Sequence, residues 1–173
     1  MPPFWGKKTD ISDAVDSLDI LMEKAFELYT EGFKSPEIRA RVRTMAEEAL
    51  RLKAECYEAY VLLGLLEMEE DDRNSMQNYF LKALELARDP FNEYTWDWIV
   101  TCLDDNLHDY PRLAGYLTRF YDRMPEEFVA RYLAKIYIKM NQRENALMIL
   151  NEHLGANPES KLCKMIHRIE RQA

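Results

Sequence analysis

One stretch constrains this chain more than any other, the run from Tyr57 to Pro90. Its landmarks are Tyr60-x-x-Leu63-Gly64, then Met76-x-x-x-Phe80, Ala83-Leu84 and a closing Pro90. Apolar residues at helical spacing on both sides of the Glu69–Asp72 break predict two helices joined by a short turn. Gly64 carries no side chain, so a second helix can approach closely there. Phe80 and Ala83 lie one turn apart on the face that must receive it. Phe26, Ala49 and Leu50 each stand 34 residues before Tyr60, Ala83 and Leu84. A spacing held at three positions predicts a second copy of the hairpin, with Thr30 replacing Gly64 and Val42 replacing Met76.

The rest of the chain follows the same grammar. From a cap at Asp10 or Ser12, Ala14, Val15, Leu18, Leu21, Ala25, Leu28 and Tyr29 predict a helix to about Gly32. Ser35-Pro36 starts the next, which runs to about Lys53 with Ile38, Val42, Met45, Ala46, Ala49 and Leu50 inward. After Pro90, Asn92 is the expected cap of a helix carrying Trp96, Trp98, Ile99, Cys102, Leu103 and Leu107. Asp109-Tyr110-Pro111 opens its partner, which carries Leu113, Ala114, Leu117, Phe120 and Tyr121. This third copy is displaced by 38 residues from the second, implying a four-residue insertion at 88–93, and Thr101, Asp105 and Thr118 replace apolar residues. The fourth copy is Ala130-x-x-Leu133-Ala134-x-x-Tyr137, a turn at Asn141 or Gln142, Ala146-x-x-x-Leu150 and Pro158, with His153 where a small residue is usual. Gly155 is expected to end that helix in the left-handed conformation. Residues 159–171 read as an amphipathic helix with Leu162, Met165, Ile166 and Ile169 opposite Lys161, Lys164, Arg168 and Arg171. Such a helix covers the open end of a stack.

The aromatic, Leu-Gly, Ala-x-x-x-Phe and Pro pattern resembles the tetratricopeptide repeat over about residues 24–158. That resemblance implies an all-α fold, an α-solenoid of antiparallel helix pairs in a right-handed superhelix with a concave groove and a C-terminal capping helix. The expected organisation is a flexible tail over residues 1–9 and a single repeat domain over 10–173. Members of the family generally bind peptides or partner helices and perform no chemistry.

Composition narrows the function classes. The chain has 173 residues, 47% of them hydrophobic, which excludes global disorder. Residues 1–111 carry 12 Lys/Arg against 24 Asp/Glu, while residues 112–173 carry 11 against 7. An acidic body argues against nucleic acid as the main ligand, because phosphate binding needs a continuous basic surface. The longest apolar runs fall short of the roughly 18 residues that a bilayer span needs, so membrane insertion is not expected. With no apolar leader in MPPFWGKKTD, a cytoplasmic location is expected. Cys56, Cys102 and Cys163 have no CxxC spacing, so neither a disulfide framework nor a zinc site is expected, and each thiol is read as a small buried hydrophobe. His108 stands four residues after Asp104, which reads as a solvated helix end, and the acidic run Glu67–Asp72 reads as a solvated turn because it lacks the alternating calcium-ligand pattern. No catalytic residue, cofactor or metal is expected, and the chain is not read as an enzyme.

The resemblance places the first helix of each pair on the concave face. Projected on this chain, that face carries Val61, Leu65 and Met68, then Trp96, Ile99 and Leu103, and finally Arg131, Lys135 and Lys139. Read as a site, this is an apolar trough with a basic rim, suited to a protein or peptide with apolar anchors and acidic residues toward one end. Read as structure, the apolar six are core and the three cations are a solvated helix face. Val61 and Leu65 stand where members that clamp chaperone C-termini place polar residues, which disfavours that ligand. Three roles stay open: an adaptor or scaffold using the groove, a small cytosolic chaperone similar in size and acidity to class II type III secretion chaperones, or a structural subunit docking through Trp96, Trp98 and the termini as a possible homo-oligomer.

Overall fold

The computed structural model describes residues 13–87, 93–107 and 109–171, and among them the chain is nine helices and no strand. The expected tail over 1–9, the caps at Asp10, Ser12 and Asn92, most of the insertion at 88–93, Pro90 and His108 lie outside the described residues. Two compact units divide the chain, Met1–Leu86 and Ala87–Ala173. The single domain expected over 10–173 becomes a proposal about cooperativity, which the unfolding experiment below addresses.

The first unit holds α1 (Asp13–Gly32), α2 (Pro36–Leu52), α3 (Tyr57–Glu69) and α4 (Arg73–Leu86). Each packs on the next, and α1 also touches α3. Ser35 starts α2 as its spacing predicts: its Oγ accepts from the Ile38 amide at 3.4 Å, and Pro36 occupies the first turn, where its missing N–H costs nothing. Val42, Ala46 and Ala49 form the buried stripe of α2, and Met22, Ala25 and Phe26 that of α1. Helix α3 is buried from Val61 to Glu67, the pattern of a helix surrounded by its neighbours rather than lying on a surface. A Cβ added to Gly64 would overlap the Phe80 ring, so the close approach of α3 and α4 depends on that glycine. Glu69 ends α3, and Asp71 turns the chain with φ 58° before Asp72 receives the Ser75 amide at 3.1 Å.

In the second unit are α5 (Glu93–Leu107), α6 (Tyr110–Arg123), α7 (Glu127–Lys139), α8 (Arg143–Ala156) and α9 (Cys163–Arg171). Helix α5 packs on both α6 and α7, α6 on α7, α7 on α8, and α8 on α9. Asp109 caps α6 by accepting from the Arg112 amide at 3.1 Å, and Leu113, Ala114, Leu117, Phe120 and Tyr121 are all buried as the pattern predicts. The Phe120 ring lies between Trp96 and Phe128, with centroids 5.1 and 6.3 Å away. The α7–α8 turn repeats the α3–α4 turn: Asn141 has φ 57°, and the Gln142 amide reaches back to the Tyr137 carbonyl at 2.8 Å. His153 is buried, and its Nδ1 shares a 3.0 Å hydrogen bond with the Tyr121 hydroxyl, which explains a large polar residue in a small-residue position.

Three local expectations need correction. Gly155 is not left-handed; α8 continues through it to Ala156, and the Asn157 amide closes the end on the His153 carbonyl at 2.8 Å. The last helix begins at Cys163 rather than Glu159, because the residues after Pro158 form a turn in which the Ser160 amide donates to Asn157 and the Lys161 amide to Glu127. Of the three thiols only Cys56 is buried; Cys102 is half-buried and Cys163 exposed. Burial pushes the Cys56 thiol up to about 12 and that of Cys102 up to about 11, with Glu58 and Asp105 respectively adding to the shift. No helix among the described residues is long and apolar enough to cross a membrane.

Candidate partner-binding surface

Helices α5 and α7 face each other across a row of polar rungs. Arg131 Nη2 stands 2.8 Å from Asp97 Oδ1, Thr101 Oγ1 2.6 Å from the Tyr132 hydroxyl, and Lys139 Nζ 2.6 Å from Asp104 Oδ1. Residue numbers rise together on both sides, so the two helices run parallel, as the first helices of successive repeats do. Asp97 and Arg131 are 34 residues apart, one repeat period. The hydrogen bond to Asp104 holds Lys139 above the ordinary ammonium range against the opposing effect of burial, with the charge of Asp104 and the Tyr110 hydroxyl adding to the rise. Tyr132 is buried, and desolvation is the main cause of its raised pKa. Its ring carries two cations, with Arg131 Cζ 5.6 Å and Lys135 Nζ 4.4 Å from the centroid. Lys135 is exposed, and among the described residues no carboxylate pairs with it.

The sequence-predicted site residues fare unequally. Val61, Trp96, Ile99 and Leu103 are fully buried, and Leu65 is 9% exposed. These five pack in the cores of their units instead of lining an open trough, because the aromatic and branched side chains on these helices are consumed by helix–helix contact. Met68 is half-buried. Of the basic rim, Arg131 and Lys139 are already paired with carboxylates, and Lys135 alone presents its charge outward. The large apolar side chains that are exposed on these two helices are Trp98 and Ile138, at 36% and 37%. Sequence reading passed over Asp97, Thr101, Asp104 and Tyr132. A search for opposite charges one repeat period apart finds Asp97–Arg131 and, one residue off, Asp104–Lys139.

A second polar tie lies inside the first unit. Arg43 on α2 holds Glu67 on α3 at 2.6 Å and Glu70, the residue just after that helix, at 3.1 Å. Burial works against the Arg43 charge, but the bonds to both carboxylates outweigh it and raise its pKa. Glu67 is buried, so the acidic run Glu67–Asp72 is in part a structural lock and not wholly a solvated turn. Among the described residues, no three His, Cys, Asp or Glu side chains gather into a metal-sized cluster.

These features can be set beside known proteins. The tetratricopeptide repeat family model matches residues 57–90. No curated protein sequence matches the chain. Among solved structures, one from the functional characterisation of PilF of Pseudomonas aeruginosa superposes with a TM-score of 0.57 at 14% identity, over 86% of this chain and 65% of that one. This chain thus spans just under two thirds of that structure. YrrB, described as a tetratricopeptide-repeat protein with an unusual peptide-binding site, is 13% identical over 91% of this chain and 98% of its own, with a TM-score of 0.37 that adds nothing to the fold assignment. The α3–α4 hairpin is the matched tetratricopeptide repeat, and the PilF likeness extends an all-α helical-repeat fold beyond it.

Proposed function

We propose that this chain is a non-catalytic interaction module of the cytoplasm that binds a protein segment on the α5–α7 face, with Lys135 at its centre. The observation that carries this reading is the unequal row Arg131, Lys135, Lys139: its outer members hold Asp97 and Asp104, while the middle one stands exposed over Tyr132. An incoming carboxylate would complete the row with the chemistry its neighbours already use. Trp98 and Ile138 offer apolar anchoring area on the same helices. The favoured partner is therefore a segment with an acidic residue and apolar side chains near it. Three unpaired thiols suit a reducing compartment. Chaperoning of a secreted protein uses the same surface and differs only in the partner. The structural-subunit reading is supported by the exposure of Trp98.

The test is affinity capture from the native host with wild type, Lys135→Glu and Ile138→Glu, with helicity checked on each. Prey lost from both variants supports the reading; prey retained by both refutes it. Leu65→Glu and Ile99→Glu are unsuitable probes, since each would place a carboxylate among buried apolar groups and unfold its unit.

A further inference from the structure

The outward face of α9 carries Lys164, His167, Arg168 and Arg171 at i, i+3, i+4 and i+7, and these four line one open cleft. On its opposite face Ile166 and Ile169 are buried, so the helix cannot turn its basic side inward without opening the core. Lys164, Arg168 and Arg171 are exposed, and among the described residues no ion pair engages them. The first helix is its electrostatic counterpart. Asp19, Glu23, Glu27 and Glu31 on α1 recur every fourth residue and form one ridge, exposed at all positions but the half-buried Glu23. These carboxylates too have no ion pair among the described residues. Lys24 and Arg41 border the Glu27–Glu31 end, which leaves the ridge acidic on balance.

We propose that the basic stripe on α9 of one copy docks on the acidic ridge on α1 of a second copy, a head-to-tail contact between two copies of this chain. The stripe from Lys164 to Arg171 is about 10 Å long and the ridge from Asp19 to Glu31 about 18 Å, so the whole stripe fits within the ridge. Within the stripe, the pairs Lys164–Arg168 and His167–Arg171 match the four-residue spacing of the ridge. A polyanion is the poorer fit: the stripe is one helix face wide, Glu170 lies on the same helix, and the chain's net charge is −8. The two faces differ, so the contact is heterologous; each added copy offers a fresh ridge and a fresh stripe, and the assembly either closes into a ring or grows. This contact uses none of the residues proposed for the α5–α7 face, and the two readings stand or fall separately.

Sedimentation of the purified full chain tests it. At about 20 mM salt the mass should rise with protein concentration, and at about 0.5 M salt it should return to that of one chain. Lys164→Glu/Arg168→Glu and Glu27→Lys/Glu31→Lys should each weaken self-association by at least about tenfold. Mixed in equal amounts, the two variants should associate again, because each then carries the face the other needs. The side chains are exposed, so helicity should be unchanged; if either variant misfolds, Gln replacements at the same four positions give the same reading without the mixing arm. A wild type that stays monomeric at every concentration would overturn the proposal, as would variants that associate normally or a mixture that does not. Loss of thermal stability in both variants with no change in mass would place ridge and stripe on each other within one chain and also overturn it. So would binding of a DNA oligonucleotide that is lost in Lys164→Glu/Arg168→Glu while the wild type remains monomeric.

Discussion

The α3–α4 and α5–α6 hairpins are built by different means. In the first, Gly64 admits the Phe80 ring, Met76, Ala83 and Leu84 are buried, and the two helices are the most extensively packed pair of their unit. In the second, α5 meets α6 sparsely and leans equally on α7, to which the rungs at Asp97, Thr101 and Asp104 bind it. Where the repeat's small and apolar positions are intact, a hairpin holds itself together through packing. Where Thr101 and Asp105 replace them, the helix is held by the next repeat through directional polar bonds. Specific register compensates for a thinner interface.

Substitutions can break this contrast, and the largest effect belongs to Phe80. Phe80→Ala should lower unfolding free energy by about 4 kcal/mol in a denaturant titration, since the ring is fully buried. Monitored by Trp96 and Trp98 fluorescence in a Trp5→Phe background, the same variant sharpens the question of cooperativity. A shifted fluorescence transition would support one domain over 10–173; an unshifted one beside a shifted far-ultraviolet signal would mean two independently folding units. Gly64→Val should cost about 2 kcal/mol by forcing the two helices apart, whereas a matching cavity or clash is not what holds α5. There the contribution is polar and partly exposed: a double-mutant cycle on Asp97 and Arg131 should give a coupling below about 1 kcal/mol that shrinks as salt rises. At the smallest end, Asp71→Gly and Asn141→Gly should each add about 0.5 kcal/mol, because both residues hold positive φ that glycine adopts without strain.

Thiol chemistry gives an independent check on packing. With an alkylating reagent near neutral pH, Cys163 should react first, Cys102 slowly, and Cys56 only on unfolding. The buried Cys56 and half-buried Cys102 also set an alkaline trend. Their raised folded values contribute stability that is full below the ordinary thiol pKa of about 8.5 and declines as pH rises toward about 11 and 12.

Helix placement was legible because local signals and periodicity agreed. Ser35-Pro36, Asp109 and the apolar spacing each predicted a start or a face that the structure contains. The site was less legible for a physical reason. An apolar stripe looks the same in sequence whether a neighbouring helix or a ligand covers it, and Val61, Ile99 and Leu103 proved to be core. The basic row misled in the opposite way: Arg131 and Lys139 look free in sequence, yet their carboxylates arrive from a helix one repeat earlier. Gly155 shows the remaining ambiguity, since a glycine near a helix end signals a terminus only when a left-handed residue is needed there, and the Asn157 amide closes α8 without one.

The three rungs between α5 and α7 have a mechanical corollary. Packed helices can move by small sliding along one another, and apolar contact is non-directional, so it fixes no register against that motion. Asp97, Thr101 and Asp104 sit about one helical turn apart, so a displacement of a few ångströms would break all three bonds at once. The second unit should therefore behave as a keyed joint along this seam, stiff against shear yet free to bend, and a pulling experiment would find its compliance elsewhere.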